Sequence, residues 1–463
     1  MSFAYTASMF GLRKNRSPLT TARQVDIDLL LRRNVESLTP EWVRRVDVVT
    51  DIKPWGLDSV EGQQRLDVAA GHVLQRLPSA VTRCELEIRS LEDLTFPSTY
   101  TPSREGGAAV ITLAGETIAD PLRTVIELAY QYACHFWHQF TDGRELDLHP
   151  RTTNLFPICC GLGVLASDAC FYEQNWTQAG WSGWSMSRAG YYNAAEIGYA
   201  LALFCRTRHE TRPPWVSSLR LDSKVAFEKA TNYFTAQARN GNRLLFEAET
   251  IPSTRCDPRE LAGWLISEDT ALAYASSLAL VQRDDLPPSV AESAITAIRR
   301  GDRDLAPSAT RVLGRLRTIE PEVESCLQRL ITRGSAVMRA AAFESAEKLG
   351  MSLEPFQPQI IRLLNQPAVD PLPVLQMIRR QGKAFAAMAP TICQMISCSI
   401  RDEEELWTQQ LIEGLEAIVD DPRAVIEKQI RAPKLREQAL EQLRRQQTHD
   451  KPETQVGEPN QFG

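Results

Sequence analysis

From about residue 285 to 432 the chain repeats one kind of segment, an amphipathic stretch at helical spacing closed by proline or glycine. SATRVLGRLRTI precedes EVESCLQRLITR, and SAVMRAAAFESAEKL precedes FQPQIIRLLNQ. PLPVLQMIRRQGKAF then precedes MAPTICQMISCSI, and ELWTQQLIEGLEAIV precedes PRAVIEKQI. Read as pairs in that order, the segments opening at Ser335, Asp370 and Glu405 are 35 residues apart. Pro321, Gly334, Pro355, Pro367, Gly382 and Pro422 mark the junctions. A pair of short helices carries a larger apolar face than it can bury alone, so successive pairs must stack. This feature predicts an all-helical C-terminal part built from hairpins in a row.

The rest of the chain is bounded more loosely. At 463 residues, two to four domains with well-buried cores are expected. A formal charge of −6 argues against a dominant polyanion-binding role. No apolar run reaches the length of a membrane span, and MSFAYTASMFGLRKNRSP lacks the apolar core of a secretory signal. The ten cysteines are scattered without a CxxC knuckle, and most sit in apolar runs. These features predict a non-secreted protein in a reducing compartment, the cytoplasm, with no disulfide framework.

Residues 1–22 read as a loose basic tail. VDIDLLLRRNVESL and VEGQQRLDVAAGHVLQRL read as helices, and CELEIRSL alternates like a strand. FPSTYTPSREGG reads as a loop, AAVITL as a strand, and DPLRTVIELAYQYACHFWHQF as a long helix opened by Asp120-Pro121, an N-cap and N1 pair. Between 155 and 205 the spacing suggests two apolar helices joined by an aromatic, glycine-rich loop. Trp176, Trp181, Trp184, Tyr191 and Tyr192 on that loop are candidates for a binding-cleft wall.

Two resemblances sharpen this outline. The C-terminal segments resemble HEAT-type repeats. In the centre, the order AAVITL, Ala-Asp-Pro, VIELAY, TTNLF and Gly161-Leu162-Gly163 resembles minimal zinc metallopeptidases of the zincin type. The expected fold is mainly α, with a small α+β zincin-like N-terminal or central domain and a C-terminal α-solenoid of HEAT-like hairpins. The expected division is a tail at 1–22, the zincin-like domain at 23–215, a helical connector at 216–284, repeats at 285–432, and a helix end with a disordered tail at 433–463.

In that peptidase family the helix reads His-Glu-Leu-Ala-His and a later acid completes the metal site. Catalytic zinc needs three such donors to hold and activate a water. Here the resemblance puts Ile126 and Tyr130 at the two histidine positions and Asn154 at the acid. Ile126 has no donor atom, a phenol stays protonated near neutral pH, and an amide is neutral. Glu127 alone keeps its family identity, that of the general base, with no metal-bound water to serve. The resemblance therefore implies a catalytically inactive peptidase-like domain without cofactor.

Two other chemistries are open to these residues. His135 and His138, i and i+3 on the same helix, together with His149, are candidates for a displaced metal site. Cys134, Cys159 or Cys160 beside a histidine is the candidate thiol nucleophile. Arg299, Arg300, Arg303, Arg311, Arg315, Arg317, Arg329, Arg333 and Arg339 are a candidate phosphate-tracking surface, interleaved with acids that suit an ion-paired face equally well. The leading expectation is a non-catalytic interaction or scaffold protein that binds a protein or peptide partner. A partner segment is expected to add as a strand along Ala108–Leu113, because peptidases of the resembled type hold substrates so. Nucleic-acid and membrane partners are not expected.

Overall fold

The computed structural model describes residues 17–103, 108–141, 150–170, 172–178, 181–187, 189–242, 244–284, 286–366 and 370–449, with the backbone alone at 172–178, 181–187 and 446–449. Of the tail expected at 1–22, residues 1–16 lie outside the described residues and Thr21 already opens a helix; 450–463 and His149 also lie outside the described residues. The chain divides into two compact units. One comprises Met1–Ile251 with Glu268–Leu272, the other Pro252–Ser267 with Ala273–Gly463. The stretch expected as a connector, 216–284, is thus shared between the two units.

In the first unit, α1 (Thr21–Leu38) and α2 (Gly62–Leu74) precede β1 (Glu85–Arg89), β2 (Ser98–Thr101) and β3 (Val110–Ala114). α3 (Pro121–Phe140) starts where Asp120 accepts the Arg123 N–H at 2.7 Å and Pro121 occupies the first turn. α4 (Pro150–Pro157) leads through a kink at Gly161 into α5 (Gly163–Ala169). β4 (Tyr172–Gln178) and β5 (Trp181–Ser187) follow, then α6 (Ala194–Thr207) and α7 (Leu221–Arg239). The sheet order is β1-β3-β2, with β1 parallel and β2 antiparallel to β3. α3 packs on β2 and β3, and its buried face joins α2, α4 and α5 in one core with Trp137, Tyr132, Phe156, Tyr199 and Phe204.

Two expectations here are corrected. The stretch read as a loop at 96–107 contains β2, whose Thr-Tyr-Thr favours strand despite the prolines at 97 and 102. Where two apolar helices joined by an aromatic loop at 176–192 were expected, residues 172–187 form an antiparallel hairpin pairing Tyr172 with Ser187 and Gln178 with Trp181. Gly161, in the Gly-Leu-Gly motif, has a φ of 77°, and a Cβ there would run into the Asp47 carbonyl. The bend that turns α4 into α5 therefore requires glycine.

In the second unit, α8 (Pro258–Leu265) precedes α9 (Thr270–Val281), whose first residues belong to the first unit. Ten helices follow: α10 (Ala291–Arg300), α11 (Leu305–Leu313), α12 (Pro321–Arg333), α13 (Ala336–Lys348), α14 (Gln357–Leu364), α15 (Pro371–Gln381), α16 (Ala389–Arg401), α17 (Glu405–Ile418), α18 (Pro422–Gln429) and α19 (Pro433–His449). Ser335 and Asp370 cap α13 and α15 as the spacing predicts. The pairing is one helix out of step with the sequence reading. α10 packs on α11, α12 on α13, α14 on α15, α16 on α17 and α18 on α19. The even-numbered partner of each expected pair belongs instead with the odd-numbered helix after it. α11, α13, α15, α17 and α19 also pack each on the next, so neighbouring hairpins share one core that includes Phe343, Phe385 and Leu411. α19 carries this packing past 432 with Ala439 and Leu443.

Candidate functional site

One helical turn separates Ile126 from Tyr130, so both lie on the face of α3 turned into the core. Ile126 is fully buried there. Tyr130 runs up beneath Gly190, where a Cβ would lie 2.5 Å from its Oη and 2.8 Å from Cζ. On the neighbouring helix α4, Asn154 Oδ1 accepts the Tyr191 N–H at 2.5 Å. Tyr130 and Asn154 therefore meet the same two-residue segment, Gly190-Tyr191. Both contacts are to the main chain of that segment. Burial pushes the Tyr130 phenol up, and Glu127 and Cys170 push it further.

Glu127 faces β2. It accepts Ser98 Oγ at 2.6 Å, and Gln131 Nε2 in turn donates to Ser98 Oγ at 2.7 Å. Burial raises its carboxyl, while the Ser98 hydrogen bond and Arg123 pull it back down. β2 thus clasps α3 through the side chains on one of its faces, Ser98 and Tyr100.

Tyr100 reaches the other polar group of α3. Its Oη lies 3.0 Å from His135 Nδ1, and Thr82 Oγ1 lies 2.9 Å from His135 Nε2. Gln139 Nε2 also donates to Thr82 Oγ1 at 2.9 Å, so the hydroxyl on the Nε2 side of the ring is itself held in place. Burial and then the His138 charge hold the His135 imidazole below its ordinary value, against the opposing pull of Thr82. Both ring nitrogens are spent on hydroxyls, so a metal at His135 would have to displace one of them. Among the described residues, no three His, Cys, Asp or Glu side chains gather in a way that could hold a metal ion.

The cysteines are shifted away from nucleophilic chemistry. Burial pushes the Cys134 thiol up to about 11, and raises Cys159 and Cys160 further. Of the aromatic candidates, Tyr192 is buried, its hydroxyl donating to the Arg151 carbonyl at 3.0 Å, so its ring belongs to the core and not to a cleft wall. Tyr191 is half-buried at the end of α4. The side chains of Trp176, Trp181 and Trp184 lie outside those described; their backbones sit on β4 and β5.

In the second unit several of the candidate arginines have partners. Arg299 pairs with Glu322 at 3.2 Å, Arg311 with Glu344 at 2.9 Å and Arg315 with Asp284 at 2.6 Å. Arg300 and Arg339 donate to backbone carbonyls. The ladder continues with Arg380 on Glu347 and Arg379 on Glu413, both at 2.7 Å. The Arg311, Arg380 and Arg379 pairs each join neighbouring helices of the shared row. A cavity of about 420 Å³ opens between α13 and α15, floored by Phe343, Val374 and Met377 and rimmed by Glu344, Glu347 and Arg380.

No protein-family model matches the chain, and no curated protein or solved structure matches it. Among the described residues, no helix is long and apolar enough to cross a membrane.

Sequence reading missed two parts of this site. Gly190 was one glycine among several in an aromatic stretch, and only its place over Tyr130 gives it meaning. Arg23 and Arg151, both on Tyr191, are 128 residues apart in sequence, and nothing local links them.

Proposed function

We propose that this chain is a non-catalytic interaction protein of the cytoplasm. Its first unit is a zincin-like frame whose metal position is filled, and its second is a HEAT-like solenoid that serves as a docking surface. The observation that carries the reading is the convergence of Tyr130 and Asn154 on Gly190-Tyr191. Two positions that a peptidase would give to zinc ligands instead brace a stretch of backbone, and the third, Ile126, is core. Glu127 then serves to anchor β2.

The partner is a protein or peptide segment. The edge first expected to receive it is excluded, because β3 is the central strand and both its edges are taken by β1 and β2. The edge that fits is β2. Pro97 and Thr99 face β3 through the ladder, as the Ala114 N–H to Pro97 carbonyl bond of 2.9 Å fixes, so the Ser98 and Tyr100 main-chain groups point outward. No further described strand pairs there. Their side chains are meanwhile locked on Glu127 and His135, which pre-organises the edge for strand addition.

The test has two arms. The Ile126→His/Tyr130→His/Asn154→Asp variant is expected to bind zinc at one equivalent, measured by metal analysis of the folded protein. A well-folded variant that stays metal-free removes the peptidase-like frame. In the second arm, Trp181→Ala/Trp184→Ala is expected to lose a partner that the wild-type chain retains in pull-down. Unchanged recovery by a folded variant counts against a part for the aromatic hairpin in holding the partner.

A further inference from the structure

Tyr191 stands apart from the other tyrosines of the first unit. Burial pushes the phenols of Tyr100, Tyr130, Tyr132, Tyr192, Tyr199 and Tyr233 upward. Tyr191 is shifted downward, first by its hydrogen bond from Arg23, with burial opposing the fall and Arg151 adding to it. The geometry behind this is explicit. Arg151 Nε donates to Tyr191 Oη at 2.8 Å and Arg23 Nη1 at 3.4 Å. The two guanidinium carbons lie 5.0 and 5.3 Å from the ring centroid.

Neither arginine is loose. Arg23 Nε is held on Glu196 at 2.9 Å, and Glu196 is itself fixed by a capping box with Asn193 at the start of α6. Arg151 Nη1 is held on Asp26 at 2.9 Å. The Tyr191 main chain is pinned by Asn154. Three elements, α1, α4 and the entry to α6, thus aim two fixed guanidinium groups at one phenol oxygen, on a side chain that is only half-buried. Asp26 and Glu196 balance the charge of the pair while orienting it.

We propose that Tyr191 is a nucleophilic phenol, a modification site that accepts a phosphoryl or sulfonyl group from an activated donor at neutral pH. In the step, the phenolate oxygen bonds to phosphorus or sulfur and the bond from that atom to its leaving group breaks. The leaving group departs with the electron pair, and the phenol proton passes to water. Two guanidinium donors stabilise the phenolate, and after transfer their forks match the oxygens of the tetrahedral product. This does not depend on the peptidase-like reading, since it needs only Arg23, Arg151 and Tyr191.

The experiment treats the full-length chain at pH 7 with an aryl sulfonyl fluoride and, separately, with a dialkyl fluorophosphate. Each releases fluoride, and labelled tyrosines are located by peptide mass mapping. Tyr191 is expected to label several-fold faster than Tyr100 or Tyr274, because two guanidinium groups stabilise its phenolate. Arg151→Gln and Arg23→Gln are each expected to slow Tyr191 labelling and to move the midpoint of its pH–rate curve upward. Labelling of Tyr191 no faster than Tyr274 overturns the proposal, as does a pH–rate curve unmoved in both arginine variants. Should either variant fold poorly, the wild-type curve decides: a midpoint at the ordinary phenol value, about 10, overturns it.

Discussion

The contact between Tyr130 and Gly190 ties together two residues 60 positions apart in the sequence. Gly190 has a φ of 82°, which a side chain tolerates poorly, and a Cβ there would run into the hydroxyl end of the phenol ring. Gly190→Ala therefore combines backbone strain with overpacking and is expected to cost about 2–4 kcal/mol. The measurement is the urea midpoint of the full chain. The same substitution in a Tyr130→Ala background should cost clearly less, because only the backbone strain remains. Equal costs in the two backgrounds would show that the ring and the glycine do not share the strain. Ser98 makes a second case at this scale. Ser98→Ala leaves buried Glu127 without its hydroxyl donor and Gln131 without its acceptor, so a loss of about 1–3 kcal/mol is expected.

At the level of elements, β2 and α3 are held by hydroxyls on a neutral imidazole, and this gives the pair a pH signature. His135 titrates below its unfolded value, so the folded state binds the proton less readily than the unfolded chain. Its contribution is fully present above the unfolded value of about 6.5 and is lost as pH falls through the lower folded value. Urea midpoints between pH 7 and pH 5 should therefore fall less steeply in His135→Gln than in the wild type. Parallel slopes would show that the imidazole is not the group that titrates. Raised carboxyls such as Glu127 and Asp269, the latter pushed up to about 6 by burial, act with the opposite sign. Their stabilising contribution is present at low pH and lost as pH rises through the folded value, and it is common to both proteins in the comparison. Legibility from sequence also divides at this scale. α3 was readable because Asp120-Pro121 marks its start and twenty residues of pattern follow. β2 was not, because four residues between two prolines carry too little pattern to outweigh turn composition. The β4–β5 hairpin was hidden the same way, its Trp and Thr scattered among Gly, Ser and Asn. In the second unit the period was legible and the phase was not. Pro and Gly close the turns within hairpins and between them alike, and only packing tells the two apart.

Across the whole molecule, 52 Lys and Arg face 58 Asp and Glu. In the second unit much of that balance is local, with Arg311 on Glu344, Lys348 on Glu344 at 2.7 Å and Arg380 on Glu347. Exposed pairs of this kind add little stability singly. Their larger consequence is for what the surface attracts. Carboxylates set among these cations, on the same helix or the next, interrupt a positive stripe, and a phosphate backbone needs an unbroken one. Removing the acids without touching the bases separates these effects. Glu344→Gln/Glu347→Gln leaves Arg311, Lys348 and Arg380 around the α13–α15 cavity with their counter-charges gone. The wild-type chain is expected to elute from a heparin column at low salt, and the variant at distinctly higher salt, with little change in its urea midpoint. If both elute together at low salt, pairing with Glu344 and Glu347 is not what keeps these bases from polyanions. If both are retained to high salt, the ladder leaves enough positive surface for a nucleic-acid partner, and the peptide-docking reading of this unit gives way to it.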